Sequence, residues 1–368
     1  MNQEDQADIL MIIQKDNSYN IEAIRLSVKY VGSFVLYLQL SNLFSRKRGI
    51  IMDKNYELFI KQLINGIHGT IGIPMENMEF ARKGENFAEM GDRLLVKIME
   101  HEDACETCGL YTEDLFEAYQ KGCTLKEILG EILGDIQRFR KAGVYDKTKK
   151  LQNYDAAKTQ LFVRLVNRDR YAVDLNDAIR KDVGDIALVV YVRISAEENC
   201  VTSTKVREAM LNYWRKDHPE LNTNDIFDEA IANTYRMTPP RIYKLEEMIF
   251  NREYTGDSFM ESCDEDVISK DAMDNNCLST TIKTNGAVAV FLPGVAEHLA
   301  ELLNSDFYMV FTSIHEVMIH SVKSGVDPKD LKLVLRDTLR EVTPSSDYLT
   351  EKIYKYNRRT HKFECVTD

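Results

Sequence analysis

Phe307-Tyr308-Met309-Val310-Phe311, then Thr312-Ser313-Ile314, then His315-Glu316-Val317-Met318-Ile319 is the stretch that decides the fold. Its first five residues are all apolar, so an extended segment here is covered on both faces and belongs inside a sheet. Three residues separate it from a second extended run that reaches Ser321. So short a link admits a tight turn and excludes a crossover helix, which makes the two strands antiparallel neighbours. Just before them, Val295 to Leu303 reads as a helix whose Val295, Leu299, Leu302 and Leu303 cover one face.

Outward from this pair, helices and strands follow without a regular alternation. Toward the C-terminus, Asp327 caps a helix over Pro328 to Val342 with proline at its first position. A closing segment, Ile353 to Cys365, holds two tyrosines and a basic turn. Toward the N-terminus, the spacing predicts a strand over Thr280 to Leu292. Before it comes an acidic polar stretch over 251–276, and Pro239-Pro240 breaks the chain ahead of Ile242 to Phe250. Helices are expected over Asn222 to Thr234 and Thr202 to Trp214, with strands over Asp185 to Ile194 and Gln160 to Val166. The run Asp185 to Ile194 is nearly all apolar, so it reads as a central strand. Trp214 reads as a half-buried anchor of the core.

The first third repeats the mixture. Tyr56, Phe59, Ile60, Leu63, Ile64 and Ile67 mark an amphipathic helix, and Arg93 to Met99 a strand with a second extended piece through Tyr111. Thr112 and Thr124 are set to cap two helices that end at Gly122 and Gly143. Strict strand–helix–strand alternation is absent. The fold class is therefore α+β, mainly antiparallel sheets with packed helices, in two units over 52–150 and 155–368.

The 368 residues are 44% hydrophobic and 29% charged, a globular composition, with net charge −12. Arg46-Lys47-Arg48 is the one dense basic run, so no nucleic-acid partner is expected. Seven cysteines in a large chain read as reduced thiols in a cytoplasm. The opening MNQEDQAD is acidic where a signal peptide is basic. The most apolar stretch, Val31 to Phe44, is too short and polar for a membrane span of about 20 residues.

Residues 1–51 carry six basic and five acidic residues, net +1, which leaves −13 on the remainder. Arg48-Gly49 can be encoded by a purine-rich ribosome-binding sequence two codons before Met52, so Met52 is read as the start and 1–51 as an untranslated extension. The alternative is an amphipathic helix over Ile21 to Phe44.

Several motifs invite chemistry. His315-Glu316-Val317-Met318-Ile319-His320 nearly spells a zinc-protease helix, which needs histidines four apart. Five apart, they diverge by about 140° on a helix and face opposite sides of a strand. Ser313 and His315 share a strand face but stand about 6.5–7 Å apart, too far for the hydrogen bond that activates a serine. Cys105-Glu106-Thr107-Cys108 lacks a second CxxC for a structural zinc, and the residues after it read as extended where a redox motif opens a helix. Asp264, Glu265, Asp266, Asp271 and Asp274 lack the spacing of a calcium loop. No glycine-rich phosphate loop occurs. No metal or other cofactor is expected.

Five phrases carry a resemblance: LVNRDR, DIALVVYVRIS, EAIANTYRMTPPRI, TNGAVAVFLPGVAEHLAELLNSDFYMVFTSIHEVMIHS and LREVTPSSDYLTEKIYKYNRRTHKF. With DLFEAYQKGCTLKEILGEIL nearer the N-terminus, they resemble the family called domain of unknown function 5688, in order, over about residues 52–366. Tyr235 stands where that family usually has proline, and Gly325-Val326-Asp327 replaces its Pro-Asp turn. The resemblance implies a shared fold and a bacterial cytoplasmic protein, and it implies no activity.

The reading that results is a non-catalytic interaction or regulatory protein, with another protein as the partner class. The rival is an enzyme with a site assembled from distant segments around Ser313, His315 and Glu316, with Asn233, Thr234 and Asn285 next in line. Convergence of these residues on a concave site favours the rival, and their scattering favours the first reading.

Overall fold

The computed structural model describes residues 54–367, except 84, 86–87, 89–90, 102–104, 198–199, 245–246, 248–250, 252, 262–266, 271–275 and 345–346. Before residue 54 it describes the backbone of three strands, β1 (Met11–Lys15), β2 (Ile21–Lys29) and β3 (Ser33–Ser41). Backbone pairing of β2 with β3 stands where the helical alternative over Ile21 to Phe44 was drawn. Runs such as Phe34-Val35-Leu36-Tyr37 are rich in residues that favour a pleated strand.

The chain divides into two compact units, Met1–Gln160 with Val192–Asn222, and Leu161–Tyr191 with Thr223–Asp368. In the first, α1 (Lys54–Ile71) buries Tyr56, Phe59, Ile60, Leu63 and Ile67, the stripe read from spacing. The strands β4 (Met78–Ala81), β5 (Arg93–Glu100) and β6 (Cys105–Tyr111) make an antiparallel sheet in that order. Two helices follow, α2 (Thr112–Gln120) and α3 (Leu125–Ala142). Thr124 and Glu127 form a reciprocal capping box on α3. Thr112, by contrast, does not cap α2. Its hydroxyl lies 2.6 Å from Tyr56 Oη, so it ties α2 to α1 instead. Two short helices, α4 (Val144–Lys150) and α5 (Tyr154–Ala157), close this part.

Next come β7 (Leu161–Asn167), β8 (Arg180–Val183), β9 (Ile186–Glu197), β10 (Cys200–Lys205), α6 (Glu208–Trp214) and α7 (Thr223–Met237). Ile186 to Val192 are buried without a break, as the apolar run required. The helix expected from Thr202 begins only at Glu208, because Val201, Thr202 and Thr204 fit a strand and β10 pairs with β1. Trp214 is fully enclosed rather than half-buried, and its Nε1 donates to the Leu151 carbonyl at 2.9 Å.

The second unit is organised by a six-stranded antiparallel sheet. Its strands in chain order are β11 (Pro240–Lys244), β12 (Asn276–Thr280), β13 (Phe307–Val310), β14 (Val317–Ser321), β15 (Tyr354–Asn357) and β16 (Lys362–Cys365). Their spatial order is β11-β12-β14-β13-β15-β16. β13 is internal and antiparallel to β14, with Phe307 opposite Ser321 and Val310 opposite Met318, as the opening stretch predicts. α8 (Val295–Leu302) buries Val295, Leu299 and Leu302. α9 (Pro328–Glu341) lays Leu331 and Leu335 against Tyr243, Cys277, Val310, Met318 and Ile353. The α+β class holds.

Two expectations fail here. The strand drawn over Thr280 to Leu292 ends where it was to begin. Lys283 and Asn285 take positive φ, and Gly286–Phe291 coils into a buried 3-10 turn. The second strand of the central pair starts at Val317, so His315 belongs to the connection. No helix among the described residues is long and apolar enough to cross a membrane.

Candidate functional site

Thr312 to Glu316 links β13 to β14, and polar groups fix it from three sides. Inside the link, Ser313 Oγ accepts from the His315 N–H at 2.9 Å and donates to Glu316 Oε1 at 2.7 Å. Thr312 Oγ1 donates to the same carboxylate oxygen at 2.6 Å. From the 3-10 segment, the Asn285 N–H donates to His315 Nδ1 at 3.0 Å and the Ala287 N–H to the Ile314 carbonyl at 3.2 Å. Ser279 Oγ, on β12, donates to the His315 carbonyl at 2.8 Å. From beyond α9, Asp347 Oδ2 lies 3.4 Å from His315 Nε2, and the Asp347 carbonyl accepts from the Ile314 N–H at 2.9 Å.

This convergence depends on Gly286. A Cβ there would stand 2.0 Å from Ser279 Oγ and 2.7 Å from the His315 carbonyl oxygen, so no other residue fits without opening the link.

Hydrogen-bond logic assigns the ring state of His315. An N–H donating to Nδ1 needs a lone pair there, so the neutral ring carries its proton on Nε2, toward Asp347. Ser313 Oγ donates its hydrogen bond to Glu316, not to an imidazole. Beside them, burial first and the Glu316 charge second push the Cys277 thiol upward, away from the nucleophilic thiolate.

The structure thus brings together Ser313, His315, Glu316 and Asn285. It does not add Asn233 and Thr234 to them. Thr234 Oγ1 donates to the Ala230 carbonyl at 2.7 Å and accepts the Val163 N–H at 2.8 Å, binding α7 to β7. Asn233 is buried in the same helix. Sequence reasoning missed Ser279, Gly286 and Asp347. The turn residues Pro344-Ser345-Ser346 ahead of Asp347 signalled a loop, and nothing in their spacing tied that loop to His315.

A second polar cluster lies in the same unit. Tyr354 Oη donates to Asp185 Oδ1 at 2.5 Å and accepts the Asp185 N–H at 3.0 Å. Thr350 Oγ1 reaches both carboxylate oxygens, at 3.0 and 2.9 Å, and Lys352 Nζ stands 3.9 Å away. Burial, with Asp185 adding to it, raises the Tyr354 hydroxyl above its ordinary range. Gly184, at φ 61°, gives way to the Tyr354 hydroxyl, which a Cβ would meet at 2.2 Å.

Both clusters fall within one comparison. The profile described as Family of unknown function (DUF5688) matches residues 56–358. The chain belongs to this family. No curated protein matches it. No solved structure matches it either.

In this DUF5688 chain the structure describes two of the other singled-out motifs, the Cys105–Cys108 pair and the His315–His320 run. Cys105 and Cys108 are in no disulfide and stand three apart on β6, which points them to opposite faces. Burial raises the Cys105 thiol. His101 Nε2 lies 3.2 Å from Glu106 Oε1, and its ring stacks on Tyr145 at 3.8 Å. The segment from His315 to His320 is turn and strand rather than helix. His320 is buried with no partner on Nδ1 among the described residues, and burial lowers its pKa. Among the described residues, no three His, Cys, Asp or Glu side chains are grouped to hold a metal. Asp264, Glu265, Asp266, Asp271 and Asp274 lie outside the described residues.

Proposed function

We propose that this DUF5688 chain is a non-catalytic interaction protein, and that the polar cluster around His315 fastens the sheet. One observation carries the reading: the donors and acceptors a reaction would use are turned on one another. Ser313 is spent on Glu316 and the His315 N–H, and both ring nitrogens of His315 face protein groups. The base within reach of Ser313 is Glu316, whose Oε1 already accepts from Thr312 as well, and a general base needs an open lone pair. Cys105, Cys108 and Cys277 are buried and in no disulfide, which supports a reducing compartment, in keeping with a cytoplasmic protein.

A fluorophosphonate serine probe tests this reading on the intact chain. The expected result is no adduct on Ser313. An adduct at Ser313 that disappears in Ser313→Ala and falls in His315→Ala would contradict it and install the enzyme reading.

A further inference from the structure

We infer that the C-terminal hairpin docks an extended acidic polypeptide along the outer edge of β16, a proposal that rests on the interaction-protein reading. The sheet order ends at β16, which has β15 as its only strand neighbour among the described residues. Lys362, Glu364 and Cys365 are exposed along it. An outermost strand presents backbone donors and acceptors that one more strand can complete.

Charge selects the occupant. The chain as a whole carries −12, yet Tyr354 to Cys365 holds four Lys and Arg against one carboxylate, Glu364. Only part of that charge is neutralised within the unit. Lys355 Nζ stands 3.4 Å from Asp306 Oδ2. Arg358 Nη1 donates to the uncharged Asn304 Oδ1 at 2.6 Å. Arg358, Arg359 and Lys362 have no carboxylate partner among the described residues, and all three are exposed. The loop that carries them is held in shape. Asn357 Oδ1 accepts the Arg359 and Thr360 N–H groups at 3.1 and 3.2 Å, and Asp306 Oδ1 accepts the Arg358 N–H at 2.9 Å. Cations on a fixed turn lose less freedom on binding than cations on a loose loop.

The free edge decides between classes of anion. A nucleic acid could use the cations but has no backbone that completes a β-ladder, and the overall negative charge repels a long polyanion. A second copy of this chain would bring a second cationic edge to the first, which like charges disfavour. A short strand alternating acidic and apolar residues satisfies both the edge and the charge.

Fluorescence anisotropy of the full chain with a labelled peptide of alternating Glu and Val tests the proposal. The peptide should bind at low salt and weaken as salt rises. Arg359→Glu with Lys362→Glu, exposed changes that leave the fold intact, should weaken it about tenfold. On the unaltered protein, a Lys-Val peptide and a Glu-Val peptide methylated on alternate backbone nitrogens should both fail to bind. Equal binding to the charge-reversed variant, equal binding of the methylated peptide, or no binding of the Glu-Val peptide overturns the proposal. So does capture of polyuridine or self-association at this edge without peptide binding. None of these outcomes bears on Ser313 labelling, so the docking site can fail while the non-catalytic reading stands.

Discussion

Asp185 and His315 each gather partners from segments far apart in the chain, but one is sealed in and the other stands at the surface. Asp185 is 5% exposed, its carboxylate accepts from a tyrosine and a threonine, and its N–H donates to that tyrosine's oxygen. His315 keeps about a quarter of its side chain exposed, with Asp347 beside it at 11%. Both clusters nevertheless close on themselves, and both need a glycine where a Cβ would collide. The lesson is that a surface cluster with the residue types of an active site can be as fully satisfied as a buried one. Satisfaction, more than residue type or exposure, separates a fastening from a site.

The sharpest way to break the comparison is to force both glycines open. Gly286→Ala would drive a methyl group into the His315 carbonyl and the Thr280 nitrogen, backbone atoms that cannot step aside. The expected loss is about 3 kcal/mol, read by urea unfolding. Gly184→Ala meets the Tyr354 hydroxyl and takes an unfavourable left-handed φ, for a loss of about 3 kcal/mol as well. Tolerance of Gly286→Ala alone would show that the His315 link is looser than the Asp185 knot.

Tyr354→Phe comes next. It removes a donor to a buried carboxylate and an acceptor for the Asp185 N–H, so about 2 kcal/mol should be lost. His315→Ala should cost about 1 kcal/mol, less because water can replace part of what the ring supplies at a quarter-exposed position. A catalytic His315 would behave in the opposite way, since truncating a strained functional group often stabilises a fold.

His320 provides the smallest effect and a check on sign. Its buried ring resists protonation, so its folded pKa lies below the ordinary value of about 6.5. As pH falls through and below that value, the unfolded chain binds a proton that the folded chain refuses, and stability declines. His320→Leu should leave stability at neutral pH nearly unchanged and flatten the acid limb of the melting curve. An unchanged acid limb would place a stabilising partner on Nδ1.

The parts of the fold that could be read from sequence were those set by local periodicity or a short link. The α1 stripe, the Thr124 cap, the Asp327–Pro328 helix start and the β13–β14 pair all rest on neighbouring residues. The strand drawn over Thr280 to Leu292 failed because Gly286 to Val290 looks like any apolar run. What bends it is a long-range contact, Ser279 and His315 pressing on Gly286. Asn285 was named as a candidate with no spacing that tied it to His315, its bond also crossing a helix, and Asp347 was not named. Its bond to the turn crosses a whole helix and leaves no spacing to find. Asn233 and Thr234, named next in line after the His315 turn, lie in α7, and the Thr234 hydroxyl accepts the Val163 N–H and so holds α7 on β7.

The ring-nitrogen shifts of His315, measured by NMR on the intact chain near neutral pH, test the central claim most directly. The neutral ring should be protonated on Nε2, with Nδ1 shifted as a hydrogen-bond acceptor from the Asn285 N–H. A ring protonated on Nδ1, with a free lone pair on Nε2, would be a base ready for a substrate. That result would contradict the fastening and return the turn to the list of active sites.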